Sequence, residues 1–241
     1  MSVLGIIGGL GPMATAYFLQ LITEMTDASC DQEHIEILVH SKPQIPDRTS
    51  YILGKNEENP VTEMIRIGKK LSKQGAEVLA IPCITAHFFQ REMEDALGVP
   101  IINAIEETAL YLKEHNVSKV GIMATDGTIE SGIFQHELER KGIEVIVPSK
   151  ENQKKVMYLI YENVKAGKPM DKTVFDNIGV ELFGKGAQVI LLGCTELSLI
   201  KRDFSMKRNY LDVMEILARK SVVTCGRLKA EYDELLIGNE E

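Results

Sequence analysis

Cys83 and Cys194 each stand directly after a short apolar run, in Val78-Leu79-Ala80-Ile81-Pro82-Cys83 and Val189-Ile190-Leu191-Leu192-Gly193-Cys194. Such runs read as buried strands, which puts a thiol at the carboxyl end of each. In open α/β sheets, ligands sit beyond the carboxyl ends of the strands. Two thiols facing each other across a cleft suit one chemistry in particular. A thiolate removes a proton from one face of a carbon, and the opposing thiol returns a proton to the other face. The roles exchange in the reverse direction. A thiolate needs its pKa brought down from about 8.5 by cations or helix N-termini. Helices are expected to begin just after both cysteines, from Thr85 and Thr195, so that free amides act on both sulfurs. A lone Cys after a strand is ordinarily a small hydrophobe, and it is the matched pair that raises these two above that reading. Cys30 and Cys225 have no counterparts and are expected to be plain thiols.

The match comes from an internal repeat. Gly75-Ala76-Glu77-Val78-Leu79-Ala80-Ile81-Pro82-Cys83 aligns with Gly186-Ala187-Gln188-Val189-Ile190-Leu191-Leu192-Gly193-Cys194, with Gly, Ala, Val and Cys coinciding. Leu4-Gly5-Ile6-Ile7-Gly8 opens a second alignment with Val120-Gly121-Ile122-Met123-Ala124, which pairs Gly5 with Gly121 and Gly11 with Gly127. Duplication of one unit is the simplest account. Strand patterns fall at 3–8, 35–40, 78–82, 119–124, 144–147 and 189–192. Helical periodicity covers 13–27, 61–73, 129–141, 154–165 and 172–183, and a long helix over 210–236 closes the chain. This interleaving predicts an α/β protein with parallel sheets and helices on both faces. If the copies face each other about a pseudo-two-fold axis, the two cysteines look into one cleft. The terminal helix is expected to return to the first lobe, giving lobes of 1–104 plus 209–241 and of 105–208.

The chain has 241 residues, with 27 Lys and Arg against 35 Asp and Glu and a net charge of −8. That argues against a nucleic-acid partner, which calls for clustered positive charge. Apolar residues at 44% and charged residues at 26% give an ordinary globular balance. No apolar run approaches the roughly 20 residues of a bilayer span, so no membrane partner is expected. With no basic leader segment, the four cysteines are expected to be reduced thiols in a cytoplasmic protein. No Cys-x-x-Cys spacing occurs and the five His are scattered, so a metal site is not expected. The Gly8-Gly9-Leu10-Gly11 run does not meet the dinucleotide fingerprint.

With these residues in view, the chain resembles the aspartate/glutamate racemase family, and within it the aspartate racemase branch that works without pyridoxal phosphate. The resemblance rests on Gly8-Gly9-Leu10-Gly11-Pro12-Met13-Ala14-Thr15, Ile45-Pro46-Asp47-Arg48-Thr49, Pro82-Cys83-Ile84-Thr85-Ala86-His87, Ala124-Thr125-Asp126-Gly127-Thr128 and Gly193-Cys194-Thr195-Glu196-Leu197. It covers nearly the whole chain. It implies two Rossmann-like (flavodoxin-like) lobes with the active site between them, no cofactor, Cys83 and Cys194 as the two bases, and commonly a homodimer. It also implies that Arg48 and Lys165 hold the side-chain carboxylate of a small acidic amino acid. A guanidinium fork is suited to that task. The α-carboxylate should meet the amides of Ile84, Thr85 and Ala86, the hydroxyls of Thr85 and Thr195, and Thr125, Gly127 and Thr128. Gly11 would allow close approach of the first loop. Glu196 either steers the thiol or the substrate ammonium, or only caps the next helix. His87 reads as a packing residue.

The family pattern is Pro-Cys-Asn-Thr-Ala-His, and here position 84 is isoleucine. Loss of that side-chain donor to a carboxylate costs roughly 1.5–3 kcal/mol of binding. The leading expectation is interconversion of L- and D-aspartate. Alternatives are glutamate or other acidic amino acids, a related isomerase acting on maleate, and a binding protein that has kept the cleft but lost the chemistry.

Overall fold

The structure is a computed structural model and describes residues 2–204, 206 and 209–236. In the first half the elements run β1 (Leu4–Gly8), α1 (Pro12–Met25), β2 (Ile37–Ser41), α2 (Arg48–Ile52), α3 (Pro60–Lys73) and β3 (Val78–Ala80). A 3-10 turn over Ile84–Phe89, α4 (Gln90–Leu97) and α5 (Ala104–Glu114) follow. The second half has β4 (Lys119–Met123), α6 (Asp126–Ser131), α7 (Ile133–Arg140), β5 (Glu144–Ile146) and α8 (Lys150–Tyr158). It continues with α9 (Lys172–Gly184), β6 (Val189–Leu192), α10 (Thr195–Asp203), β7 (Tyr210–Asp212) and α11 (Val213–Cys225).

All strand pairs are parallel, in orders β2-β1-β3 and β5-β4-β6-β7. The central strands β1 and β4 are buried and, apart from the half-buried Lys119 that opens β4, apolar, as strands covered by helices on both faces must be. The two sheets are copies of one plan. Ile101 makes an isolated parallel bridge to Leu79, where β7 lies against β6 in the second sheet. The matched glycines are packing positions. A Cβ on Gly5 would collide with the Leu79 side chain, and one on Gly121 would sit 3.0 Å from Leu182 Cβ.

Three expected elements differ. The helix expected over 129–141 is two helices, broken at Gly132, whose φ of +69° is left-handed. The helix over 154–165 begins at Lys150 and ends in a π-helical turn, Leu159–Val164. The long terminal helix over 210–236 is instead β7, α11 and a 3-10 turn at Ala230–Tyr232. Tyr210–Asp212 therefore belongs to the second sheet, not to the first lobe, and the chain crosses back only with α11. That helix packs on α1 and α5 through Met214, Leu217, Ala218 and Val222, all wholly buried. Residues 1, 205, 207, 208 and 237–241 of the expected lobes lie outside the described residues.

Candidate active site

Cys83 and Cys194 are each the N-cap of the helical turn after their strand, with matching extended backbones: φ −153°, ψ 100° and φ −142°, ψ 132°. Both are free thiols, 6% and 5% exposed. They line one narrow cavity from opposite lobes. The helical turns after them leave their first amides without intrahelical acceptors.

The two sulfurs have different neighbours. Cys194 Sγ–H donates to Glu196 Oε2 at 2.8 Å. Burial and then the Glu196 carboxylate push this thiol well above its usual range, with Lys165 opposing. Cys194 thus rests protonated. Cys83 faces the Arg48 guanidinium. Burial opposes the charge on Arg48, but Cys83, Asp47 and Glu196 outweigh it and hold the group more firmly protonated than usual.

Arg48 opens α2 behind the capping Asp47, whose Oδ1 accepts from the Ser50 amide at 2.8 Å. Its Nη1 donates to the carbonyls of Pro46 (2.9 Å) and Ile45 (3.3 Å), and its Nη2 to that of Leu10 (3.2 Å). The guanidinium is therefore fixed, yet its buried Nε–H has no partner among the described residues. A buried donor left unsatisfied is costly, and a carboxylate oxygen in the cavity would satisfy it.

Lys165 follows the π-helical turn and lies 3.8 Å from Asp47 Oδ2 and 4.0 Å over the Tyr161 ring. Burial opposes its charge, but Glu196, Cys194, Tyr161 and Asp47 raise its pKa overall. The Tyr161 hydroxyl donates to Asp47 Oδ2 at 3.1 Å. Asp47 is held below its ordinary pKa: burial works against this, while the Ser50 amide and Lys165 prevail. The site thus holds two cations and two carboxylates.

Thr85, Thr125 and Thr128 close a triangle of hydroxyls, 3.0–3.1 Å on each side, that ties the first lobe to the second. In a closed ring each hydroxyl spends its one proton on its neighbour. None keeps a donor for a ligand unless the ring opens.

Of the residues expected from sequence, Arg48, Cys83, Ile84, Thr85, Thr125, Lys165, Cys194, Thr195 and Glu196 line the cavity. Four do not. The Ala86 amide is spent on the Cys83 carbonyl at 3.0 Å, so it is not a ligand donor. Thr128 is wholly buried behind Thr125. Gly127 abuts Thr49, and Gly11 lines an adjoining outer space near Glu196. Ile84 turns its side chain into the main core, which leaves only its backbone for the site. His87 is buried and bonded to Gln90 and to the Ile81 carbonyl. Leu10, Asp47 and Thr49 also line the cavity and were not anticipated, nor was Tyr161. Asp47 adjoins Arg48 in sequence, and Tyr161 stands four residues before Lys165, the helical spacing that brings side chains together.

The profile of the Asp/Glu/hydantoin racemase family matches residues 7–220. The chain belongs to this family. The aspartate racemase of Picrophilus torridus superposes with a TM-score of 0.84 at 29% identity, covering 97% of this chain and 98% of that one. An aspartate racemase homologue from Pyrococcus horikoshii OT3 gives 0.74 at 26% identity, over 93% and 99% of the two chains. The broad specificity amino-acid racemase RacX of Bacillus subtilis is 27% identical over 227 residues, 92% of this chain and 97% of the relative. A glutamate racemase of Limosilactobacillus reuteri is 25% identical over 185 residues, 72% and 67% of the two chains. Family membership makes the protein an isomerase of the amino-acid racemase type, with the two-lobed fold of that family. Among the described residues no helix is long and apolar enough to cross a membrane.

Proposed function

We propose that the protein interconverts L- and D-aspartate by a two-base mechanism using Cys83 and Cys194, without pyridoxal phosphate. The observation that carries the reading is that two free thiols, at matched places in a repeated unit, line one cavity from opposite lobes. The Cys83 thiolate takes the α-proton from the face it meets, forming S–H, and the C–H electron pair moves towards the carboxylate. Cys194 Sγ–H then gives its proton to the opposite face, which inverts the centre and leaves a thiolate beside Lys165. The reverse reaction exchanges the roles. Unbonded amides at the starts of the turns after both cysteines stabilise the charge that develops on the α-carboxylate. Arg48, through its spare Nε–H, and Lys165 take the distal carboxylate. The substrate is a free small amino acid. The likeness to the Picrophilus aspartate racemase supports a short acidic one. The homodimer that the resemblance implies belongs to the same proposal, and sedimentation decides it.

Polarimetry on L-aspartate tests the reading. The native protein should racemise it, and Cys83→Ala and Cys194→Ala should each abolish the reaction. Full activity in either variant refutes the two-base scheme. Glutamate assayed in parallel sets the chain-length preference, and maleate assayed for fumarate tests the isomerase alternative.

A further inference from the structure

The cleft has a second chamber. It shares Leu10, Asp47, Arg48, Lys165 and Glu196 with the cysteine cavity and opens outwards to solvent. Its walls are the turn between β1 and α1, the loop after β2, and Val164 and Leu199 of the second lobe. The two chambers differ in chemistry. The inner one is lined by thiols, hydroxyls and charges. Residues that line only the outer one have no polar side chain: Pro12, Met13, Pro43, Ile45, Val164 and Leu199 cover it, and the rest are Gly or Ala. Met13, at the start of α1, is 61% exposed, so the chamber reaches solvent over an apolar rim.

The charges at the neck between the chambers already have partners within the protein. Lys165 has Asp47 and the face of Tyr161, and Arg48 rests on three carbonyls. Two cations balance two carboxylates, so an uncharged group lying against them strands no charge. A chain of methylenes that reaches the outer walls loses water against them.

We infer that the cleft also takes amino acids with neutral, unbranched apolar side chains longer than that of aspartate, with the α-carbon between the two sulfurs and the side chain in the outer chamber. This rests on the racemase reading and widens its substrate class. The bond chemistry is the same exchange of the α-proton between the thiols. Arg48 Nε–H gains no distal carboxylate from such substrates, so they bind less tightly than aspartate and are ranked by the apolar area they bury.

The test is α-proton washout in deuterium oxide from aspartate, alanine, 2-aminobutyrate, norleucine and methionine. Alanine is too short to leave the inner cavity. In the native protein kcat/KM should rise from alanine through 2-aminobutyrate to norleucine, by about tenfold or more over the series. Met13→Asn changes only the rim. It should lower washout from norleucine and methionine about threefold or more while leaving alanine and aspartate unchanged. Pro43→Ser, a second exposed rim position, should act in the same direction. Washout from aspartate alone, alanine matching norleucine, or rim variants that leave the ratios unchanged would each overturn the inference and leave the aspartate reading standing. No washout from any amino acid, aspartate included, defeats the racemase reading and this inference with it.

Discussion

Gly127 of the second lobe meets the backbone of Thr49 in the first so closely that a Cβ added to Gly127 would lie 2.9 Å from the Thr49 Cα. Backbone cannot move aside as a flexible side chain can, so this contact sets the spacing of the lobes where the cavity lies. Thr49 lines that cavity, next to Arg48. Gly127→Ala should therefore part the lobes locally. Overpacking of this kind costs about 1–3 kcal/mol, so the urea midpoint should fall and racemisation should slow. A variant with native stability and rate would show that the lobe spacing adapts freely.

Glu196 holds the Cys194 thiol protonated. Burial is the larger cause of the raised pKa, and the carboxylate adds to it. Glu196→Gln keeps an acceptor and removes the charge. The pH midpoint for alkylation of Cys194 by iodoacetamide, followed by mass spectrometry, should move down in this variant. A midpoint that stays in place or rises contradicts the electrostatic part assigned to Glu196.

Arg48 is held by three carbonyls, and its buried Nε–H has no partner among the described residues. A lysine has three donors around one nitrogen and cannot satisfy those carbonyls and also offer a planar fork. Arg48→Lys should raise the KM for aspartate about tenfold or more. Circular dichroism should show the fold intact. An unchanged KM would take the distal carboxylate away from Arg48.

Asp212 is wholly buried at the start of α11. Its Oδ1 accepts from the Ser198 hydroxyl at 2.7 Å and the Met214 amide at 2.9 Å, while Oδ2 has no partner among the described residues. Burial, followed by Glu215, raises its pKa to about 7 from 3.8, against the pull of Lys201. Between those two values the folded chain keeps a proton that the unfolded chain releases. The stability this confers is complete below the unfolded value and is lost as pH climbs through the folded one. Asp212→Asn is neutral throughout and should flatten that part of the curve. Urea midpoints measured across that window check it, and a variant with the native slope would place the titration elsewhere.

The parts of the site that repeat were legible from the sequence. Two strands ending in Cys follow one local pattern, and burial on both faces of a parallel sheet leaves little freedom in how such a run folds. The misreadings fall where tertiary contacts overrule local pattern. Leu211, Val213, Met214 and Leu217 continue a helical spacing, yet pairing with Ile190, Leu191 and Leu192 draws Tyr210–Asp212 into the second sheet. Gly132 splits a helix because its left-handed backbone ends one segment and starts the next. The link from Asp47 to Tyr161 joins residues 114 positions apart, and no local periodicity reports a bond of that kind. The Ala86 amide looked available until the 3-10 turn claimed it for the Cys83 carbonyl.

The central claim, that each sulfur serves one face of the α-carbon, is tested most directly by following deuterium uptake from solvent into L- and D-aspartate with Cys83→Ser and Cys194→Ser. Neither variant should racemise. Each should exchange the α-proton of one enantiomer only, and the two variants should retain opposite enantiomers. Racemisation at the native rate in either variant, or exchange of the same enantiomer by both, would contradict the account.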